Sequence, residues 1–293
     1  MLFGAGASCG SDTQTTPPLG AGLFDELCRY NPDGWGAIPD DLASCFREDF
    51  EQALPKVHPY TLGPLQRAMA AYFFQFRPRR CSLYFRLAER IRAGNWHVAF
   101  ASLNYDRLLE LALRGAGLCV AVGRPAELYT DVEVCLPHGC CHLFCDGLIA
   151  APNGVYFSAL NVNMNGPVIA VNDPNDHRAQ ISGNSIPPVM SYFEPLKRTT
   201  AAPSFISSQR ARLAKLFQTA STVAVIGMKV RPYDTHIWDP LRATRARIVY
   251  CAGKEAGEEF RLWSDAAGRQ CDEVLPAFWA DAFDGLCSHV GIA

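Results

Sequence analysis

The sequence predicts an α/β protein built on a Rossmann-like parallel sheet flanked by helices. The first observation is that short β-branched runs alternate along the chain with longer helical patterns, which is typical of βαβ units. The second is that these short runs are apolar almost without interruption, as expected of strands covered on both faces. The 293 residues are 49% apolar and 19% charged, a composition typical of a globular chain with a sizeable core.

The elements follow from this alternation. Strands are predicted at the apolar runs 98–103, 118–122, 132–136, 222–226 and 247–251. Helices are predicted where apolar residues recur at helical spacing with charges on one side, over residues 62–76, 82–93, 105–114, 208–219 and 255–263.

Two stretches interrupt the alternation. Residues from about 40 to 95 are helical in pattern, rich in Phe, Tyr and Arg, and carry no strand signal. Residues from about 146 to 205 are dense in Asn, Pro, Gly and Ser, which predicts long loops and hairpins that often act as functional lids. We therefore expect a single domain over residues 1–293, with one helical and one loop-rich insertion.

Composition also excludes several classes of function. The formal net charge is −2, so no broad basic field is available to neutralise a phosphate backbone, and direct nucleic-acid binding is not expected. No apolar run approaches the roughly 20 residues that span a bilayer, and the first residues lack the pattern of a secretory signal. We expect a cytoplasmic protein without a membrane partner, whose 12 cysteines are reduced.

A glycine-rich motif opens the chain. Gly4, Ala5, Gly6, Ala7 and Ser8 could let backbone amides approach a phosphate at the start of the following helix. Ordinary turn chemistry explains a glycine pair equally simply. Only three residues precede the motif, so either the first strand is very short or the true start of the protein lies upstream.

Polar residues also follow two of the predicted strands. Asn104 and Asp106 come where the strand ending at Leu103 turns into a helix, and His138 follows the strand ending at Leu136. The carboxyl ends of parallel strands face the ligand crevice, which favours a binding role. The alternatives are that the Asn and Asp cap the helix and that the histidine is structural.

A fourth polar cluster follows the strand ending at Ile226. Gly227 would permit close approach of a ligand, and Asp234 and His236 fall in the first turn of the next helix. Asp234 could equally be a negative charge favoured at a helix N-terminus. Lys229 and Arg231 are either cations near a phosphate or solvated surface charges.

Together, the order of these motifs resembles the sirtuin superfamily. The sequence letters are GAGAS, SLNYD, PHG and IGMKVRPYDTHI, and the resemblance extends over nearly the whole chain. In particular, it resembles the bacterial sirtuin-like NAD-cleaving domains used in antiphage defence. One departure is that Gly227 is followed by Met228 and Lys229, where that family has Gly-Thr/Tyr-Ser.

The resemblance implies roles for individual residues. Asn104 and His138 match the catalytic Asn and His, with His138 as the general base. The implied NAD-binding residues are Gly4, Ala5, Gly6, Ala7, Ser8, Asp106, Gly227 and Asp234. Adenine contacts are expected after the strand ending at Cys251, at residues that the sequence does not identify.

The spacing of the cysteines bears on metal binding and on the kind of reaction that the protein catalyses. Residues 135–145 contain Cys135, Cys140, Cys141, His142 and Cys145, but no C-x-x-C pair occurs in the chain. Structural zinc sites usually combine two such short-spaced pairs, so we expect no metal and no zinc ribbon. Protein-deacylating sirtuins carry that ribbon, and its absence favours plain hydrolysis of NAD.

The resemblance therefore implies an NAD+ glycohydrolase that gives nicotinamide and ADP-ribose and depletes NAD when it is activated during infection. NAD+ is expected as the substrate, with control through a homo-oligomer or a separately encoded partner such as an ATPase or an Argonaute-like protein. The alternatives are an NAD-dependent protein deacylase or ADP-ribosyltransferase, and a non-catalytic sensor of NAD or ADP-ribose.

Overall fold

The computed structural model describes residues 1–94, 96–122, 131–151 and 163–292. Its strands are, in chain order, β1 (Leu2–Phe3), β2 (Phe100–Ser102), β3 (Cys119–Val122), β4 (Asp131–Cys135), β5 (Leu143–Cys145), β6 (Val168–Ala170), β7 (Thr222–Ile226), β8 (Arg247–Cys251) and β9 (Glu273–Leu275). Seven of these described strands form a parallel sheet in the order β3-β4-β2-β1-β7-β8-β9, and β5 pairs with β6 in an antiparallel ribbon.

The described helices are α1 (Ala5–Cys9), α2 (Gly20–Tyr30), α3 (Asp40–Glu48), α4 (Phe50–Ala53), α5 (Pro59–Phe74), α6 (Leu83–Gly94), α7 (Leu108–Gly115), α8 (Pro174–Gly183), α9 (Pro203–Thr219), α10 (Thr235–Ala243), α11 (Lys254–Ala266) and α12 (Trp279–His289). Two 3₁₀ turns cover Trp35–Ala37 and Leu54–Lys56. Within the described ranges, each helix is too short or too polar to cross a membrane.

The shortest strand lies at the centre of the sheet. β1 pairs with β2 on one side and with β7 on the other, so the chain leaves it in one direction and later returns in the opposite direction. Such a reversal of strand order opens a crevice at the carboxyl ends of the strands. The fold therefore places this edge of the sheet next to the residues that follow β1.

The two residues of β1 separate two apolar cores. Phe3 packs against Tyr84 and Trp279 on one face, with ring centroids 5.3 and 5.5 Å apart, in a core that α2 to α7 and α12 share. Leu2 belongs to the core on the other face, which α9, α10 and α11 cover. Both residues are fully buried, which explains why so short a strand is stable at the centre.

The predicted fold class is confirmed: the sheet is parallel and helices flank it on both faces. The predicted strands at 222–226 and 247–251 match β7 and β8 residue for residue. β2, β3 and β4 each lie within two residues of their predicted bounds. The first strand is indeed very short.

Some predicted details are wrong. The helix predicted from residue 105 begins at Leu108, with Arg107 as its N-cap residue and the Asp106 carboxylate accepting the Leu108 amide at 3.0 Å. The segment 146–205 contains α8, which begins where Asp173 caps its first turn and Pro174 occupies the first helical position. β9 was not predicted. Residues 152–162 of this segment lie outside the described residues.

Candidate active site at the carboxyl edge of the sheet

The four sequence motifs follow four neighbouring strands. Gly4 follows β1, Asn104 follows β2, His138 follows β4 and Gly227 follows β7, and the sheet order of these strands is β4-β2-β1-β7. Because the strands are parallel, their carboxyl ends share one edge of the sheet. Residues up to 223 positions apart in sequence therefore meet in one region.

Backbone contacts hold two of the glycine motifs together. The Gly4 amide donates to the Ile226 carbonyl and the Gly6 amide to the Gly227 carbonyl, both at 2.9 Å. Gly227 has φ +64°, and a Cβ there would lie 2.1 Å from the Ala7 nitrogen. Only glycine fits this approach. The Gly4 and Gly6 amides are thus engaged within the protein, and a pyrophosphate role for residues 4–8 stays a prediction.

Asn104 has a fixed amide orientation. Its Nδ2 donates to the Gly4 carbonyl at 3.0 Å and to Ser8 Oγ at 2.8 Å, and Ser8 Oγ lies 3.1 Å from the Tyr84 hydroxyl. A carbonyl can only accept, so the nitrogen must face Gly4. Its Oδ1 is buried without a hydrogen-bond partner in the described part of the chain. A buried acceptor of this kind is suited to a ligand hydroxyl or a water molecule.

Asp106 has a local structural contact. Its carboxylate accepts the Leu108 amide at the start of α7, and burial raises the pKa of Asp106 to about 6. The N-cap residue of α7 is Arg107, so Asp106 supports the helix start from the position before the cap, and Asn104 does not cap it. A role for Asp106 in binding NAD stays a prediction.

His138 pairs with a second histidine. Its Nε2 lies 2.8 Å from Nε2 of His236, which occupies the first turn of α10. His138 is 4% exposed and His236 is half-buried. Nε2 of this buried ring is thus already engaged by the second histidine.

Burial and nearby cations keep both rings neutral. Burial lowers the pKa of His138 well below its usual 6.5, with further lowering by Lys197 and His236. Burial also lowers the pKa of His236 to about 3, helped by Arg210 and Lys197. Arg210 is fixed beside them because its Nε donates to the Pro137 carbonyl at 3.1 Å.

A buried charge network borders the histidine pair. Lys197 Nζ lies 2.8 Å from Glu51 Oε1, and Glu51 Oε2 lies 3.3 Å from Arg231 and accepts from the Tyr233 hydroxyl at 2.7 Å. Burial raises the pKa of nearby Asp234 to about 6, and its Oδ1 has no partner among the residues described. The network joins α4, the loop before α9 and the loop after β7.

Sequence reasoning missed two of these residues. Glu51 and Lys197 lie in the two insertions, and no sequence signal gives them a role. His236 was named with Asp234 in the fourth polar cluster but was given no role. Arg231, left open between a phosphate contact and a surface charge, is in fact half-buried in an ion pair.

One compact group of potential metal donors occurs in the described residues. The ligand atoms of Cys140, Cys141 and His142 lie within 4.8 Å of one another, and Glu110 Oε1 is 3.4 Å from His142 Nε2. The three are consecutive in sequence, whereas closed zinc sites use four separated ligands. The Cys140 thiol donates to the Tyr105 carbonyl at 3.3 Å, and burial raises its pKa. We assign these residues a structural role, and the absence of a metal stays a prediction.

Comparisons with known proteins identify the fold. No protein-family model and no curated protein matches the sequence. A crystal structure of a Sir2 homologue in complex with NAD is similar over 100% of this chain and 89% of that chain, with a TM-score of 0.51 and 16% identity. The structure of a Sir2 homologue variant with ADP-ribose is similar over 99% of this chain and 90% of that chain, with a TM-score of 0.47 and 15% sequence identity. The structure of Sir2 bound to an acetylated peptide is similar over 100% of this chain and 92% of that chain, with a TM-score of 0.44 and 13% sequence identity. The chain thus has a Sir2-like Rossmann fold.

Proposed function

We propose that this protein is a sirtuin-like NAD+ glycohydrolase, which cleaves the bond between nicotinamide and ribose and releases nicotinamide and ADP-ribose. The observation that carries the proposal is the convergence of the Gly4, Asn104, His138 and Gly227 motifs at the carboxyl ends of four adjacent parallel strands. Dinucleotides bind at this position in open α/β sheets, where the strand order reverses.

NAD as the substrate has two further supports. The structural neighbour with a TM-score of 0.51 is an NAD complex, and its similarity covers all of this chain. The net charge of −2 also suits a small dinucleotide better than a nucleic acid.

The proposed chemistry needs few groups from the protein. Nicotinamide is a good leaving group, and cleavage passes through an oxocarbenium-like state, so the site must supply position and charge stabilisation. The free Oδ1 of Asn104 orients the ribose or the attacking water. His138 supplies the base that takes a proton from a ribose hydroxyl or from that water.

Hydrolysis is favoured over acyl transfer by the cysteines. The sequence has no C-x-x-C pair with which to build the zinc ribbon of the deacylating sirtuins. Water is therefore the proposed acceptor of the ADP-ribosyl group.

We also propose that the activity serves antiphage defence and is controlled, because an unregulated enzyme of this type would deplete the NAD of its own cell. The burial of Asn104 and His138 supports control, since a substrate reaches them only after the site opens. A homo-oligomer or a separately encoded partner, such as an ATPase or an Argonaute-like protein, would supply the opening.

The direct test is nicotinamide release from NAD+, measured by chromatography with and without the products of neighbouring genes. Asn104→Ala and His138→Ala should each lower the rate by about 10²–10⁴-fold, because each removes a group that acts on the reacting atoms. Matched controls are Asn175→Ala and His58→Ala, which remove the same side chains at exposed positions and should retain the rate.

Three outcomes would contradict the proposal. Acyl-ADP-ribose formed with an acylated peptide would indicate a deacylase, and ADP-ribose attached to a protein would indicate a transferase. NAD binding without nicotinamide release by the activated protein would indicate a sensor.

A further inference from the structure

The geometry points to His236 as the residue that takes the proton from the substrate and passes it to His138, so that the two rings act together as the base. This inference rests on the proposed function and concerns the same site. It starts from a difficulty: Nε2 of His138, the expected base, is already engaged by His236 in this structure.

The contact between the two rings limits the positions of their protons. Nε2 of His138 lies 2.8 Å from Nε2 of His236, so one of these nitrogens donates and the other accepts. In the proposed relay His236 is the donor and the proton of neutral His138 is on Nδ1, in a ring that the Leu103 backbone helps to protonate. Nδ1 of His236 is then a lone pair.

The burial of the two rings indicates which of them a substrate meets first. His138 is 4% exposed, whereas His236 is half-buried and is therefore the ring more open to an incoming ligand. In the relay Nε2 of His138 faces His236, so the lone pair offered to a substrate hydroxyl or water is on His236. The open basic atom of the pair is His236 Nδ1.

The proton transfer balances without another reactant. The substrate O–H proton moves to His236 Nδ1 while the Nε2–H proton of His236 moves to His138 Nε2. His236 is neutral afterwards with its proton on Nδ1, and His138 is an imidazolium with protons on both Nδ1 and Nε2. The proton returns by the reverse path, and nothing is oxidised or reduced.

The surroundings keep this relay neutral at rest. The charged groups that act on the two rings are Lys197 from the loop before α9 and Arg210 from α9. The two cations oppose a resting positive charge on either ring. Two neutral rings 2.8 Å apart require one donor and one acceptor, as the relay does.

His236→Gln separates a relay from simple positioning. Glutamine keeps an N–H donor that can face His138 Nε2, but its amide cannot take up a proton. We expect kcat of His236→Gln to fall by about 10²–10⁴-fold with KM little changed, and we expect kcat of His236→Ala to fall by the same factor. His138→Ala combined with His236→Gln should cost no more than either alone, because the two rings act as a unit.

The matched control is His177→Gln. His177 is also a buried histidine, and its Nε2 lies 2.9 Å from the Cys141 carbonyl, to which a glutamine amide can also donate. It should retain kcat. Wild-type kcat in His236→Gln, or recovery by glutamine of what alanine loses, would overturn the relay.

A second measurement does not depend on activity. Proton–nitrogen NMR correlations of ¹⁵N-histidine-labelled protein should show His138 with its proton on Nδ1 and His236 with its proton on Nε2. The opposite tautomers would overturn the inference even in an active enzyme. If the wild-type protein releases no nicotinamide, the proposed function fails, whereas the tautomers still report whether the pair is arranged as described.

Discussion

At the scale of single residues, the site depends on polar atoms that folding leaves without partners. Asn104 Oδ1 and Asp234 Oδ1 are both buried and unpaired in the described structure. An unpaired buried acceptor costs about 1–3 kcal/mol, so folding retains these groups at a penalty. Such a penalty is offset when a ligand hydroxyl donates to the acceptor.

Glu110 gives a residue-scale prediction outside the active site. Burial raises its pKa to about 7 from the usual 4.5, so between these values the folded state holds a proton that the unfolded state has lost. This lowers stability progressively from about pH 4.5 to pH 7. We therefore compare the free energy of unfolding of Glu110→Gln with that of the wild type at two pH values. The variant should gain roughly 2–3 kcal/mol over the wild type between pH 5 and pH 8.

Urea unfolding at both pH values measures this difference. Glu48→Gln is the control, because Glu48 is exposed and its substitution should have the same effect at both pH values. A Glu110→Gln effect independent of pH would show that the buried carboxyl does not titrate as described.

At the scale of elements, the loop after β1 and the loop after β7 pack as one unit through glycine. The closest approach is at Gly227, where φ is +64° and a Cβ would meet the Ala7 nitrogen at 2.1 Å. Two strand ends are thereby held together at the site. A substitution at Gly227 should therefore disturb the packing of the two loops against each other and not only a single side-chain contact.

Gly227→Ala should lower the free energy of unfolding by about 3 kcal/mol or more, since backbone must move in addition to the left-handed strain. Gly268→Ala is the matched control: its φ is +69° but a Cβ there meets nothing within 4 Å, so only about 1–2 kcal/mol of strain applies. Chemical denaturation measures both. Equal losses would mean that the close approach does not contribute.

At the scale of the whole molecule, a buried ion pair joins the two insertions. Lys197 and Glu51 are separated by 146 positions, and their side chains are 3% and 7% exposed. Removal of one partner leaves the other charge buried, which typically costs about 3–5 kcal/mol. The pair therefore makes the stability of the two insertions interdependent.

Lys197→Met should cost about 3 kcal/mol, the lower end of this range, because Arg231 still neutralises part of the Glu51 charge. Adding Glu51→Gln should recover part of that loss. Arg29→Met, which breaks the exposed pair with Glu26, should cost less than about 1 kcal/mol. Unfolding curves of wild type, of the single variants Lys197→Met, Glu51→Gln and Arg29→Met, and of the double variant test this. Strictly additive losses in the double variant would argue against a coupled pair.

Much of the fold could be predicted from local pattern. β7 and β8 are apolar and β-branched, and their predicted bounds match the structure. α8 was missed because Asn, Asp and Pro at residues 172–176 suggest a loop, although Asp173 and Pro174 form a helix start. β9 was missed because three half-buried residues give too short a pattern.

For the site, the sequence by itself determined which residues lie at the crevice, because parallel strands bring every carboxyl end to one edge wherever those residues stand in the chain. It could not determine their partners. The His138–His236 contact and the Lys197–Glu51 pair join positions 98 and 146 apart through the strand order and the paths of two insertions. Only the tertiary structure decided these contacts, since a side-chain hydrogen bond depends on ångström-scale placement that no local pattern encodes.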